Sequence, residues 1–549
     1  MHRDLLIFEN QVLVQTDDTA FKKRIRELCT YGTNTYRRVG GEVQEVYVTH
    51  CLFADDVFPI GLLPQVVREL EDPLDPEKPA WAGYPENGEE QFFPPGLYIL
   101  GKGMMGQPLS GPKFCVAERR EDVDSYRVDL MPSTELVPRP YQQEALESIL
   151  SERCGIVLHA TGAGKTFLAT MLIGELCLPT LYLVPNLELL KQTSQVLRDC
   201  FGDNKVGRFG GGWKELDRDI LISTADSLWL MYKSAPDDFI RQVADKYKLL
   251  ILDECHHVGR GMRKRRVGNR TIKTYGQPNT WYLIAGAIAA PYRIGLTATL
   301  RDDYDDSTKE PSFLLEAATG PVLHKKSASE LIEEGYLAAP DVRLIEIDSP
   351  FAKIKAEADR VAKRKHRARL SGGEWFQICR KLGIEGNTDR NQLIAQIADA
   401  HAEMGHRVLV LVDRVKQQIE EITSFSAYAE GAYGTQVRAK RNQLIEDFRR
   451  GKLRVLVTTL LGEGFDLPEL DVAINAAGGK SGKTVLQKIG RTLRGSSAIF
   501  YDFMDLGGGS HPGLLEKHSQ ARKRTYESEA GFKIKVLTKE QLYGILYAE

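Results

Sequence analysis

The chain has 549 residues, enough for roughly three to five domains at about 100–200 residues each, and is 42% hydrophobic and 27% charged with a formal net charge of −2. No apolar run reaches the ~20 residues of a membrane span, and the start MHRDLLIFENQVLV lacks the layout of a signal peptide, so no membrane partner is expected. None of the eight cysteines forms a C-x-x-C pair, which speaks against a disulfide framework or structural zinc and for a reducing cytoplasm; the balanced charge leaves any polyanion to local patches.

In chain order, QVLVQT (11–16) and EVQEVYVTHCLF (42–53) alternate as strands do. Between them TAFKKRIRELCTY (19–31) reads as a helix capped by Thr19. The Pro-, Gly- and acid-rich stretch 71–98 reads as a long loop. Residues 1–130 therefore read as an α+β accessory domain. After Arg139, short apolar β-branched runs alternate with helical stretches: GIVLHA (155–160), TLYLVP (180–185), DILIST (219–224), KLLILDE (248–254) and YRIGLTAT (292–299). The rhythm resumes with RVLVLVD (407–413), RVLVTT (454–459), DVAINA (471–476) and AIFYDF (498–503). Runs without polar alternation are buried on both faces, as parallel strands are. Two successive α/β lobes follow, over 131–335 and 336–510, with an irregular Gly-rich region between the sheets, a cleft between the lobes and a tail over 511–549.

Two segments are strongly basic. Residues 260–280 carry Arg260, Arg263, Lys264, Arg265, Arg266, Arg270 and Lys273 with no acid, and 351–370 carry eight Lys/Arg against Glu357 and Asp359. A charge run is ordinarily a solvated face, but uncompensated cations this dense repel one another unless an anion is near.

Three constellations carry chemistry. TGAGKT (161–166) leaves a buried strand and enters a helix. Glycines let backbone N–H groups turn to an anion, and the helix N-terminus adds partial positive charge. Lys165 would reach phosphates and Thr166 would offer a hydroxyl to Mg²⁺, although His159 stands where the usual G-x-x-x-x-G-K-[ST] pattern has its first glycine. At the end of KLLILDE, Asp253 and Glu254 can divide metal holding and water activation; the bland alternative is a strand ending in surface acids. His256 and His257 invite zinc, but neighbours on an extended chain diverge. In QKIGRTLRG, Arg491 and Arg494 share a helix face, either as a surface helix or as cations for a phosphoryl group, with Gln487 beside them.

In this order the segments resemble the motifs of superfamily 2 helicases of the DEAD/DEAH type, over about Arg139 to Leu506. RPYQQEAL (139–146) resembles the adenine-reading segment, with Arg139 and Gln142 as contacts. ATGAGKT (160–166) resembles the phosphate loop, assigning Thr161, Gly162, Ala163, Gly164, Lys165 and Thr166 to the nucleotide. LVPNLELLKQT and STADSL resemble strand-contacting segments, and GLTATL the segment coupling hydrolysis to strand contact. DECH resembles the Mg²⁺ and water motif, with Asp253 and Thr166 on the metal and Glu254 as base. VLVTTLLGEGFDLPELDVAI and QKIGRTLRG resemble second-lobe motifs, with Gly464 and Asp466 near the nucleotide and Gln487, Arg491 and Arg494 catalytic. GGGWKE and TATLRDD, with Asp302 where the group has Glu, are similar to the group holding the repair helicase XPB and the phage helicase UvsW.

The resemblance implies two tandem RecA-like parallel-sheet α/β lobes with a nucleotide cleft between them. It adds an N-terminal α+β accessory domain, which by analogy would dock DNA, and a thumb-like basic insertion at about 351–390. ATP and Mg²⁺ are the implied cofactors. The implied substrate is double-stranded, forked or junction DNA, contacted by Arg263, Lys264, Arg265 and Arg266 and by Lys363, Arg364 and Lys365. A nuclease or recombination factors are possible protein partners, and a bacterial or phage-infected cytoplasm is the expected setting. Alternatives are the motor subunit of a restriction or defence complex, an RNA helicase, and a nucleotide-gated DNA clamp.

Overall fold

A computed structural model of the chain describes residues 4–7, 11–15, 19–39, 42–52, 54, 57–59, 62–63, 66, 97–98, 115–118, 123–133, 136–258, 261–267, 270–277, 279–300, 310–337, 339–366, 370–413, 416–433, 436–459, 470–479, 499–507, 513–527 and 532–547. It divides into two compact units, Met1–His159 with Gly164–Lys325, and Lys326–Glu549 with the loop Ala160–Ala163. Most of the loop expected over 71–98 lies outside the described residues, as do Asp302, Gly464, Asp466, Gln487, Arg491 and Arg494.

At the N-terminus the expected alternation places Val12 and Val14 in a small core with Ile25 of the helix Thr19–Leu28. The strands Val57–Pro59, Gln11–Gln15, Asp4–Ile7, Cys115–Glu118 and Leu97–Tyr98 hydrogen-bond in that order. The strand expected over 42–53 forms as Glu42–Cys51, and it pairs with Thr30–Val39 as a separate long hairpin.

The first large sheet is built from β1 (Cys154–His159), β2 (Thr180–Val184), β3 (Val206–Gly210), β4 (Trp213–Lys214), β5 (Ile220–Thr224), β6 (Leu249–Asp253), β7 (Tyr292–Thr297) and β8 (Val322–Lys326). Their order is β4-β3-β5-β2-β6-β7-β1-β8, parallel from β3 through β1. All five runs read as strands in this half are present, and β2, β5, β6 and β7 are buried along their whole length. Burial on both faces is why they lack polar alternation. Cover on one face comes from α1 (Pro140–Glu152), α2 (Lys165–Leu176) and α3 (Leu187–Phe201), through residues such as Ile149, Leu172 and Leu197. The opposite core includes Leu228 of α4 (Ala225–Ser234) and Ile284 of α5 (Thr280–Ala287).

The second sheet is parallel throughout. It comprises β9 (Asp341–Asp348), β10 (Val408–Leu411), β11 (Ala429–Ala432), β12 (Val455–Thr458), β13 (Val472–Asn475), β14 (Ile499–Leu506) and β15 (Lys533–Leu537), in the order β11-β12-β10-β13-β14-β9-β15. The segment 511–549, set apart as a tail, supplies the edge strand β15 and two helices.

The basic segment expected to be a thumb-like insertion forms α6 (Phe351–Arg364), followed by α7 (Gly372–Arg380) and α8 (Thr388–Glu403). The Gly-rich stretch is thus helical where an irregular region was expected. Ser371 and Glu374 form a reciprocal capping box that outweighs Gly372 and Gly373. Ile354 of α6 packs with Cys379, Ile384 and Leu515, while Lys363, Arg364 and Lys365 are exposed. Lys365 pairs with Glu374. Among the described residues no helix is long and apolar enough to cross a membrane.

Candidate functional site

The C-terminal ends of β6, β7 and β1 lie side by side because Asp253 is in register with Leu296, and Leu296 with Val157. Parallel α/β sheets hold ligands at this end of their strands. The loop between β1 and α2 turns through two left-handed glycines, Gly162 (φ 87) and Gly164 (φ 74), the second capping α2. A Cβ at Gly164 would also lie 2.7 Å from Gln142 Nε2. Lys165 Nζ donates to the carbonyl of His159 at 3.1 Å, spanning the loop it follows.

Gln142 is buried at the start of α1, where its Oε1 accepts from the Arg139 backbone N–H at 3.0 Å. Arg139 Nη1 donates to the Tyr141 hydroxyl at 3.1 Å. The segment expected to read adenine thus lies against the glycine that caps α2. His159, the residue in place of the first glycine, is fully buried. Its Nε2 lies 2.8 Å from His324 Nδ1 of β8, and Tyr141 meets its ring edge-on. It fills space as a core residue.

Asp253 and Glu254 are both buried. Burial, then the neighbouring Glu254 carboxylate, pushes the Asp253 carboxyl up, against the opposing pull of Lys165 and hydrogen bonds from Glu254 N–H (3.0 Å) and Tyr182. Glu254 has a left-handed backbone (φ 52), a conformation that costs a side-chain-bearing residue about 1–3 kcal/mol and persists where the surroundings enforce it. It turns the carboxylate out of the strand direction. Glu254 Oε2 lies 3.3 Å from His256 Nδ1, which lies 2.8 Å from Thr297 Oγ1. Thr297 Oγ1 donates to the Thr299 carbonyl at 2.8 Å, and the network with the Glu254 carboxylate assigns the His256 proton to Nδ1. DECH and GLTATL are thereby joined side chain to side chain. His257 stacks on Trp281 at 5.6 Å, so the two adjacent histidines serve different contacts.

Sequence reading missed Tyr182. Its hydroxyl donates to Asp253 Oδ2 at 3.3 Å, and it also has a side-chain hydrogen bond with Thr166. Burial and the Asp253 carboxylate push this phenol well above its usual range, so it remains a donor. The tyrosine joins the two side chains expected to hold a cation, and their oxygen-only donors suit a hard divalent ion. The signal present in TLYLVP was one polar atom in an otherwise apolar strand. Thr297→Val, which removes the hydroxyl facing His256 Nδ1, is expected to cost about 1–3 kcal/mol, read as a lower urea midpoint for the first unit.

Elsewhere in this unit Asn186 caps α3, accepting from Glu188 N and Leu189 N, and Thr224 caps α4. Arg208 stacks on Trp213 at 4.5 Å and pairs with Glu215. The residues Arg263, Lys264, Arg265 and Arg266 fall on a strand of a separate two-stranded ribbon.

Residues 135–302 match the family described as the res subunit of type III restriction enzymes, and residues 389–496 match the helicase conserved C-terminal domain. The chain is 26% identical over 405 residues to the DNA 3'-5' translocase XPB2 of Sulfurisphaera tokodaii, covering 69% of this chain and 84% of that protein. It is 30% identical over 363 residues to a putative DNA 3'-5' helicase Rad25 of Haloarcula marismortui, covering 65% of this chain but only 50% of its relative's length. The ATP-dependent DNA helicase uvsW of Enterobacteria phage T4 is 23% identical over 434 residues, with 71% and 75% covered. With two parallel-sheet units, a glycine-turned loop at the end of β1 and DECH at the end of β6, the chain belongs to the superfamily 2 helicases, which are ATP-hydrolysing enzymes, close to XPB and UvsW.

Proposed function

We propose that the chain is an ATP-driven DNA helicase or translocase acting on double-stranded or branched DNA in repair or recombination. The observation that carries this reading is the cluster in which the Lys165 charge acts on buried Asp253 and hydrogen bonds run from Asp253 through Glu254 and His256 to Thr297, in a chain similar to proteins named as DNA translocases and helicases. Arg139 and Gln142 orient the nucleotide base. Residues 161–164 and Lys165 hold the phosphates through backbone N–H groups and one ammonium. Thr166 and Asp253 hold Mg²⁺, which supplies charge neutralisation at the phosphates when bound. Glu254 orients water and takes its proton, its carboxylate placed by the His256 Nδ1–H.

Gly464 and Asp466 adjoin the nucleotide in this reading. Arg491 and Arg494 supply the positive charge that stabilises phosphoryl transfer, an effect worth about a thousandfold or more in rate for an arginine, with Gln487 as a neutral hydrogen-bonding side chain beside them. Arg263 to Arg266 and Lys363 to Lys365 contact DNA phosphates. The discriminating experiment compares ATPase stimulation by single-stranded, duplex, forked and four-way DNA and by RNA. Duplex or branched DNA is expected to stimulate most, and a strong preference for RNA would reject the reading in favour of an RNA helicase.

The match of residues 135–302 to a restriction-enzyme subunit favours a second reading, a motor that moves duplex for a partner nuclease. Cleavage that requires ATP, this chain and an added nuclease together would establish it.

A further inference from the structure

Tyr182 sits in the middle of β2, on the strand next to the one that ends in the acidic pair. Its ring is fully buried in the core beneath α2, with Leu168, Leu172 and Ile251, while its chain neighbours Leu181 and Leu183 face the opposite core. Tyr182 is in register with Ile251 of β6, and Asp253 stands two residues further along the same face of the sheet. The ring thus carries its hydroxyl out of an apolar core to the first turn of α2 and the end of β6.

Two hydrogen bonds use that hydroxyl. It donates to Asp253 Oδ2 at 3.3 Å, and it bonds with the Thr166 side chain. A phenol has one proton, and an ionised carboxylate only accepts. With the phenol proton given to Asp253, the network assigns Thr166 as donor to the phenol oxygen. Protons therefore point one way, from Thr166 to Tyr182 to Asp253. Thr166, its proton spent on Tyr182, has only lone pairs left to offer. Asp253 is held at both oxygens, Oδ1 by the Glu254 backbone N–H at 3.0 Å and Oδ2 by Tyr182. The plane of its carboxylate is fixed, while each oxygen keeps acceptor capacity. A core tyrosine that only needs partners finds them in the backbone. Tyr247, equally buried, shares its hydroxyl between the Leu216 and Arg218 carbonyls. Tyr182 instead joins two side chains from two different motifs.

We propose that Tyr182 is a positioning residue that sets the preference of this site for Mg²⁺ over larger divalent ions. This role rests on the reading that Thr166 and Asp253 hold the cation of the bound nucleotide. Mg²⁺ demands near-ideal octahedral geometry at about 2.0–2.1 Å, whereas Ca²⁺ accepts about six to eight oxygens in flexible arrangements at about 2.3–2.6 Å. Ligands fixed before the ion arrives favour the stricter ion, and freeing them costs it more. Hydrogen-bonding partners of metal ligands typically contribute about 10- to 100-fold in metal affinity.

The test uses the full chain and Tyr182→Phe, which keeps the ring in its core and removes only the hydroxyl. Binding of a fluorescent ADP is titrated with Mg²⁺ and, separately, with Ca²⁺, and is measured once in EDTA. The Mg²⁺ midpoint should rise about 10- to 100-fold and the Ca²⁺ midpoint should rise less, so the preference between the ions narrows. Affinity in EDTA should be unchanged, which also reports that the variant is folded. Equal rises for the two ions, or a loss of affinity in EDTA, would reduce Tyr182 to a packing role and overturn the proposal. If Mg²⁺ tightens ADP binding to the unmodified chain and the variant responds identically, the tyrosine fails alone. If neither ion alters ADP binding to the unmodified chain, the cation reading of Thr166 and Asp253 falls with it.

Discussion

Glu254→Gln is expected to lower DNA-stimulated ATP turnover by about 10²- to 10⁴-fold, the contribution of a positioned general base, measured as steady-state phosphate release. The substitution preserves shape and removes the proton acceptor, so nucleotide binding should survive while turnover is lost. The expectation rests on placement: a buried carboxylate, turned from the strand by a left-handed backbone and held 3.3 Å from His256 Nδ1. Lys165→Ala should cost about 10²- to 10³-fold, as loss of one preorganised cation at a developing charge does. Full activity in either variant would detach this end of the sheet from the chemistry.

Arg522→Ala is expected to destabilise the second unit by about 3–5 kcal/mol, the cost of removing one partner of a buried ion pair, read from its urea unfolding transition. Arg522 lies on α9 (Leu514–Glu527), fully buried. Its Nε and Nη2 donate to the two carboxylate oxygens of Asp502 at 2.8 and 3.0 Å, Nη2 also donates to the Phe503 carbonyl at 2.9 Å, and Nη1 donates to the Gly479 carbonyl. Asp502 also accepts from the Tyr526 hydroxyl at 2.7 Å. The double variant Arg522→Ala/Asp502→Ala should cost less than the two single losses added, because no charge is then stranded. Additive losses would show that the pair is not coupled.

Legibility from sequence varied from element to element. The long apolar runs were readable because burial on both faces leaves them no polar positions. The strand DVRLIEID (β9) was not, because its charges mimic a half-exposed strand although it lies inside the sheet. Arg343 is accommodated there by Asp341 at 2.9 Å and the Tyr501 hydroxyl at 2.8 Å. AEGA (β11) has no β-branched residue to mark it. Gly431 is needed there because a Cβ would meet Ile419 at 2.3 Å. At the site, Lys165, Thr166, Asp253 and Glu254 stand in contiguous motifs, and local pattern sufficed to find them. Tyr182 and Thr297 act through contacts that local pattern does not encode.

Local chemistry alone therefore determined that this chain builds two parallel α/β units and ends particular strands in a glycine-turned loop and an acidic pair, since both follow from burial and backbone conformation within a few residues. Tertiary structure decided which distant groups meet there. Tyr182 reaches Asp253 across 71 positions and His256 reaches Thr297 across 41, because strand order places β2 and β7 on either side of β6. It also decided that 533–537 closes the second sheet beside β9 and that the basic run at 261–277 pairs with itself as a two-stranded ribbon. Crossover connections and register set these neighbours, and neither is written in the periodicity of any one segment.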